Sequence, residues 1–357
     1  MHSIDVKLQQ GAYQIRVGAG LVSRLHDELA SAGLREPYFL ISQPRVLKAA
    51  GAQLKRKFQF ISIPDGERAK TLSTVDRLVD QMVKHALNRQ STIVAFGGGV
   101  VGDVAAFVAS IYMRGIAVVQ VPTTLLAQVD SSIGGKTGVN HRIAKNLIGT
   151  FHQPTLVIAD PAVLRTLPDR EYSSGLYEAI KYGVIRDPRL FQQFEQKLDS
   201  ILRRDEDEVE RLVAACAAIK AHVVMADEKE SDLRRILNFG HTIGHALESA
   251  GKYRRIKHGE AVGYGMIAAA RISCALGRLS AADCARIETG IGSIGRLPRL
   301  DGVRTRNVLD SLQHDKKMRD GTVHFVLPRA IGKVEITPDV PMALVRDVVR
   351  SLLDENK

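Results

Sequence analysis

The stretch NFGHTIGHALE, residues 238–248, sets His241 and His245 four positions apart. On a helix the two imidazoles lie one turn apart on one face, a spacing that offers two nitrogens to a metal ion. The glutamate of the H-E-x-x-H zinc motif is missing, because Thr242 follows His241, so further ligands have to come from elsewhere. His258, in KHGEAVGYG, opens the next helical pattern, and His222 lies upstream. Glu178, in GLYEAIKYG, occupies an apolar, glycine-bounded helix where a charge needs a reason. Lys181, three residues on, shares its face, and a plain ion pair is the competing reading. An open catalytic metal site takes three protein ligands and leaves one position for water or substrate. Histidines packed singly in a core or on a surface are the alternative.

A second group of residues suits phosphate. IVAFGGGVVGDVAAF reads as an apolar strand, then Gly97, Gly98, Gly99, Val100, Val101 and Gly102, then a helix opening at Asp103. It matches G-x-G-x-x-G in the strand–turn–helix context that binds a dinucleotide. Glycines allow close backbone approach, and a helix N-terminus supplies N–H donors and a positive dipole end. The acidic residue expected about 20 positions later is absent, and this is not the first βα turn, so a tight structural turn competes. Downstream, VPTTLLAQVDSSIGGKTGVNHRIAKNLIG carries Asp130, Lys136, Lys145 and Asn146 around two glycines. Gly134 and Gly135 place Lys136 on a loop, where lysines serve as point charges for phosphate or simply face solvent. Arg114 ends the preceding helix, where it would favour the dipole.

The elements that must position these residues divide the chain. Residues 1–18 alternate around a glycine turn and read as a β-hairpin. Strand-like and helix-like segments then alternate through TLVIADP, which implies a parallel sheet with helices on both faces. Beyond about Leu167 the pattern is almost entirely helical. The expected organisation is an α/β domain with a Rossmann-like sheet over residues 1–165 and an all-α domain over residues 166–357. The default place for a site is the cleft between two such halves.

Composition bounds the function. The chain has 357 residues with a formal charge of +11, which calls for an anionic partner. The basic residues are scattered, aromatics make up 5% and tryptophan is absent, so no stacking platform for nucleic acid is evident. A small phosphorylated or carboxylated substrate fits the charge as well. No apolar run reaches the roughly 18 residues of a membrane span. Three cysteines without a C-x-x-C pair fit reduced thiols in a cytosolic protein.

Assembled in order, PDGERAK, FGGGVVGDVAAFVASIYMRG, VPTTLLAQVDSSIGGKTGVN, KNLIGTFHQP, GLYEAIKYG, LNFGHTIGHALE, KHGEAVGYGM and HDKK closely resemble the 3-dehydroquinate synthases over nearly the whole chain. The resemblance implies a dehydroquinate synthase-like fold, a cytoplasmic enzyme of the shikimate pathway and a homodimer. It puts the ligands of a zinc or cobalt ion on Glu178, His241 and His258. NAD contacts fall on Asp65, Gly66, Glu67, Arg68, Ala69 and Lys70; on Gly99, Val100, Val101, Gly102 and Asp103; on Thr123, Thr124, Lys136 and Lys145; and on Val163, Leu164, Arg165 and Thr166. Catalytic and substrate-binding positions fall on Arg114, Asp130, Lys136, Asn146, Lys181, Lys220, Arg234, Asn238 and His245, with Lys316 or Lys317 from HDKK. The implied reaction takes 3-deoxy-D-arabino-heptulosonate 7-phosphate to 3-dehydroquinate and phosphate. It runs through transient oxidation at C5 by NAD, phosphate elimination, re-reduction, ring opening and aldol closure. Ala69 and Tyr177 depart from the family pattern, which touches packing near the nucleotide and beside Glu178.

Overall fold

The computed structural model describes residues 1–9, 11–251, 256–318 and 322–356, without the side chains of residues 314–318. The chain forms two compact units, Met1–Pro168 with Glu206–Met225, and Asp169–Asp205 with Ala226–Lys357.

In the first unit the expected hairpin is present as β1 (His2–Leu8) and β2 (Gly11–Val17), paired antiparallel. Next come α1 (Leu25–Ser31), β3 (Tyr38–Ser42), α2 (Pro44–Ala50), β4 (Gln59–Ser62), α3 (Leu72–Lys84), β5 (Thr92–Gly97), α4 (Gly99–Ile111) and β6 (Ala117–Pro122). A small antiparallel pair, β7 (Lys136–Val139) and β8 (Ile148–Phe151), precedes β9 (Leu156–Ala159). The seven-stranded sheet has the order β1-β2-β9-β6-β5-β3-β4, and every pairing from β2 to β4 is parallel. Successive residues of its apolar strands serve opposite faces. Ile93 and Ala95 join a core with Leu78, Val104 and Phe107, whereas Val94 and Phe96 join one with Leu25, Leu29 and Leu47.

This order reverses direction at β3: the chain passes to β4 on one side and then to β5 on the other. In an open α/β sheet that switch point, at the carboxyl ends of the strands, is where a ligand binds. Residues 65–70 follow β4, 99–103 follow β5, 123–124 follow β6 and 163–166 follow β9. Parallel topology therefore puts all four segments on one edge of the sheet.

The second unit is built on α5 (Asp169–Ile185), α6 (Pro188–Leu202), α8 (His241–Ala250), α9 (His258–Ala275), α10 (Ala281–Ile294), α11 (Thr305–Met318) and α12 (Met342–Glu355). The intervening helix α7 (Glu206–Ala226) belongs to the first unit: Glu210 accepts the Ala19 backbone N–H at 3.0 Å and pairs with the N-terminal amine at 2.8 Å. Helical periodicity says that α7 is amphipathic but not which core it joins. α5 is buried on every side from Ser174 onward, and glycines set its neighbours close. A Cβ on Gly183 would lie 2.8 Å from the Phe191 nitrogen at the start of α6.

Four local expectations are corrected. The helix after the glycine loop opens at Gly99 rather than Asp103. Lys136 is the first residue of β7, opposite Phe151, because a strand resumes directly after Gly134 and Gly135 turn the chain at φ +98° and +70°. Arg114 lies beyond the end of α4, left-handed at φ +68° after Met113 at φ +49°, so it is not in the last helical turn. The second unit also contains an antiparallel pair, β10 (Phe325–Ala330) and β11 (Lys333–Thr337), turning at Gly332 with φ +91°. Pro328 is tolerated there because β10 is an edge strand.

Candidate active site

The second unit gathers His241, His245 and His258, whose ligand atoms all lie within 4.8 Å of one another. α8 begins at His241 behind Gly240, which is left-handed at φ +80°, and α9 begins at His258. The two helices touch through glycines. A Cβ on Gly265 would stand 1.8 Å from the Gly240 carbonyl oxygen, and one on Gly244 would stand 2.9 Å from that of Ala261. Backbones this close bring the first residues of both helices onto the buried carboxylate of Glu178 on α5. Glu178 Oε1 is 3.4 Å from His241 Nε2 and 3.3 Å from His258 Nε2, and Oε2 is paired with Lys181 Nζ.

The ring orientations suit metal ligation. His241 Nδ1 donates to the Phe239 carbonyl at 3.1 Å, and His258 Nδ1 donates to Glu248 Oε2 at 3.2 Å. Each leaves Nε2 facing Glu178, as ligating histidines do. A tetrahedral ion with bonds of about 2.0–2.1 Å has ligand–ligand edges of roughly 3.3–3.4 Å, which the two Glu178–histidine separations match. A carboxylate and two imidazoles fit zinc or cobalt. Burial drives the His241 pKa well below its ordinary value, reinforced by Lys181 and the other histidines and opposed by Glu178; the neutral ring is the ligand form. Burial also lowers the basicity of His258, but Glu178 and Glu248 outweigh it and raise the pKa to about 10. His245 is exposed, its ring centroid 5.2 Å from that of His241.

Other expected residues of this unit take definite places. Arg234 is buried and donates from Nη1 to the Glu228 carbonyl at 2.6 Å. Asn238 Nδ2 donates to Glu230 Oε1 at 3.2 Å. Asp227 organises this segment by accepting backbone N–H groups of Ser231, Asp232 and Arg234 at 2.9, 2.8 and 3.0 Å. Burial pushes its carboxyl pKa up, but these donors outweigh it and hold it well below the usual carboxylate range. Tyr177 is buried and donates from its hydroxyl to the Gly295 carbonyl at 3.1 Å, so the large residue before Glu178 has a room of its own. Lys316 and Lys317 lie outside the described side chains. Glu248, Glu230 and Asp227 escape a reading by motif. Glu248 left one trace, since it stands seven residues after His241 and shares its helix face.

In the first unit α4 has no side-chain cap at Gly98. A Cβ on Gly98 would meet Thr124 at 2.9 Å, and one on Gly102 would meet Gln120 at 2.8 Å. These glycines hold the helix N-terminus against the neighbouring strand, the geometry that presents N–H donors to a pyrophosphate. Lys70 is buried and pairs with Asp103 Oδ2 at 2.5 Å and with Asn146 Oδ1. Burial raises the Asp103 pKa, with Lys70 opposing. Glu67 accepts from Asn140 at 2.8 Å, and Arg68 donates to the Asp65 carbonyl at 3.0 Å. Lys220 reaches Asp130 Oδ1 at 2.7 Å. Ala69, Val101 and Leu164 have side chains in the core, and Val163 and Thr123 are buried, so Ala69, Val101 and Leu164 would offer a ligand only backbone groups. Thr124 is half-buried, Thr166 donates to the Val163 carbonyl at 3.1 Å, and Arg165 pairs with Glu206. Lys136, Lys145 and Arg114 are exposed. His222, on α7, is also exposed and stands outside the histidine cluster.

A parallel-sheet α/β unit followed by a helical unit is a fold that this chain shares with solved dehydrogenases and cyclases. An alcohol dehydrogenase of the latter kind, 14% identical over 96% of this chain and 97% of its own, superposes with a TM-score of 0.66. The chain belongs to the 3-dehydroquinate synthase family: the N-terminal family model matches residues 60–174 and the C-terminal one residues 175–318. It is 52% identical to the 3-dehydroquinate synthase of Koribacter versatilis, over 99% of this chain and 98% of that one. It is 44% identical to that of Solibacter usitatus, over 99% and 100%. A 2-epi-5-epi-valiolone synthase from Streptomyces hygroscopicus, solved with NAD+ and Zn2+ bound, is 29% identical over 98% and 99% of the two chains, with a TM-score of 0.88. A 2-deoxy-scyllo-inosose synthase complexed with carbaglucose-6-phosphate, NAD+ and Co2+ is 28% identical over the same shares, with a TM-score of 0.87.

Proposed function

We propose that this chain converts 3-deoxy-D-arabino-heptulosonate 7-phosphate to 3-dehydroquinate and phosphate. It acts as a phosphate-eliminating carbon–oxygen lyase that uses NAD and a zinc or cobalt ion. The observation that carries this reading is the buried Glu178 carboxylate set between two Nε2 atoms at tetrahedral-edge distances, in a chain of this family. When bound, NAD supplies a reversible hydride acceptor, and the ion a Lewis acid that makes a substrate hydroxyl more acidic.

The chain's own residues do the rest. Glu178, His241 and His258 hold the ion, and Lys181 pairs with the Glu178 carboxylate and orients it. His245, exposed beside them, is placed to move a proton at the substrate. The substrate carries a carboxylate and a phosphate. The family pattern assigns Arg234, Asn238, Lys181, Lys220, Lys136, Asn146 and Arg114 to it, and Asp130 holds Lys220. These cations also stabilise negative charge that develops as phosphate leaves. Backbone N–H groups at the start of α4 receive the pyrophosphate, with Thr123, Thr124 and the segments after β4 and β9 around the nucleotide and Lys145 at its edge. The cysteines form no disulfide among the described residues, and no described helix is long and apolar enough to cross a membrane.

The test is phosphate release from the heptulosonate phosphate with NAD and metal, followed alongside NADH absorbance. Phosphate and dehydroquinate should form with no net NADH. Accumulating NADH would mark a dehydrogenase, and preference for a heptulose phosphate lacking the carboxylate would mark a sister sugar-phosphate cyclase.

A further inference from the structure

The two histidines that face Glu178 differ behind the ring. His241 Nδ1 meets a neutral backbone carbonyl, whereas His258 Nδ1 meets the carboxylate of Glu248 at 3.2 Å. Glu248 is itself buried, with a side chain only 9% exposed against 37% for His258. A buried carboxylate is costly unless it is hydrogen-bonded or paired. Its place is set by the same helix contact that builds the centre. It lies two turns beyond His241 on α8, and the glycine contacts at Gly240, Gly244 and Gly265 bring that face of α8 against the start of α9. Glu260, near His258 in sequence, is committed elsewhere: Arg170 holds it through two hydrogen bonds of 2.6 and 2.8 Å, and the Lys257 backbone N–H through one of 2.7 Å.

We propose that Glu248 is a positioning residue of the metal centre: by accepting the His258 Nδ1–H it fixes the ring with Nε2 towards Glu178 and makes His258 the stronger donor of the pair. This rests on the reading of Glu178, His241 and His258 as ligands. A carboxylate behind an imidazole fixes its tautomer and raises its basicity, and losing such a partner weakens metal affinity by about 10–100-fold. The buried charge also counts. Glu178 is already neutralised in part by Lys181, so Glu248 supplies a second negative charge to balance a divalent ion.

Zinc affinity is measured on the full chain by competition with a chromophoric chelator at neutral pH, with circular dichroism as the folding control. Glu248→Ala should bind zinc about 10–100-fold more weakly. Glu248→Gln should lose less, because its amide oxygen still accepts the N–H, and it carries the test if the alanine variant does not fold. In a His258→Ala background, Glu248→Ala should add little further loss, since the two residues act as one unit. A purely structural role would show equal losses in both backgrounds and overturn the proposal, as would a folded Glu248→Ala with unchanged affinity. If the unmodified chain binds no equimolar zinc, the ligand assignment fails instead.

Discussion

In the proposed reaction the histidine pair on α8 serves two purposes, and substitution separates them. His241 and His258 present Nε2 to Glu178, so His241→Ala and His258→Ala should each lose most of the bound metal, measured by elemental analysis of desalted protein. His245→Ala should keep the metal and lose turnover by roughly 100-fold or more, the usual range for a proton-transfer group. Equal metal loss in all three would make the three imidazoles the ligand set. Asp227 offers a separate test of electrostatics. Its folded pKa lies below the unfolded value of about 3.9. Its contribution to stability is therefore complete above that value and lost as pH falls through the folded pKa. Asp227→Asn should lower the denaturation midpoint at neutral pH, and the gap from the unmodified protein should close as the pH drops below the ordinary carboxylate range.

Among the elements, helix contact distance decides what is tolerated. Gly265 on α9 faces backbone: an added Cβ would stand 1.8 Å from the Gly240 oxygen, and neither helix can yield without moving the other. Gly265→Ala should cost about 1–3 kcal/mol or more, lower the melting temperature and reduce metal occupancy, because α8 and α9 carry both proposed histidine ligands. Gly102→Ala meets only the amide end of Gln120, at 2.8 Å. That side chain is buried and donates to the Gly102 carbonyl at 3.2 Å, but a side-chain end yields more readily than backbone, so the melting temperature should fall less than for Gly265→Ala. Equal destabilisation by the two would mean that side-chain mobility around Gln120 is overstated. Met113 and Arg114 show the opposite economy, since both are held left-handed without being glycine. Such backbone costs of order 1–3 kcal/mol per residue and persists where surrounding structure enforces it, which here sets the direction in which Arg114 leaves the end of α4.

At the scale of the molecule, the formal charge of +11 is compatible with the substrate of the proposed reaction, which carries a carboxylate and a phosphate. Lys70, Lys181, Lys220 and Arg234 are buried beside acids or carbonyls, not arrayed along a surface groove. The reaction proposed for the chain uses a divalent ion. Chelator-treated, desalted protein should therefore lose phosphate release by orders of magnitude and regain it with zinc or cobalt. Undiminished turnover in metal-free protein would remove the ion from the reaction, whatever its place in stability.

Some of this was legible in the chain. The strand–glycine–helix segment and the alternation of the α/β part could be found along the sequence, because periodicity and motif spacing are local properties, and eight motifs in order were specific enough to single out Glu178, His241 and His258 as the proposed ligands. The hairpin β10–β11 was also written locally, as apolar alternation around Gly332, but it was hidden among helical patterns. Other features had no local expression. The grouping of α7 with the first unit, the strand order that puts four loops on one sheet edge, and the partners of Lys70 and Lys220 all depend on which surfaces meet. The stretch from His241 to Glu248 shows the division best. Its spacing put three polar side chains near one helix face, and that is as far as a period of 3.6 residues reaches. Which of them meets the Glu178 carboxylate, which stays exposed, and which stands behind His258 was decided by the glycine contacts that set α8 against α9, since ligand geometry is fixed by helix separation and not by position along the chain.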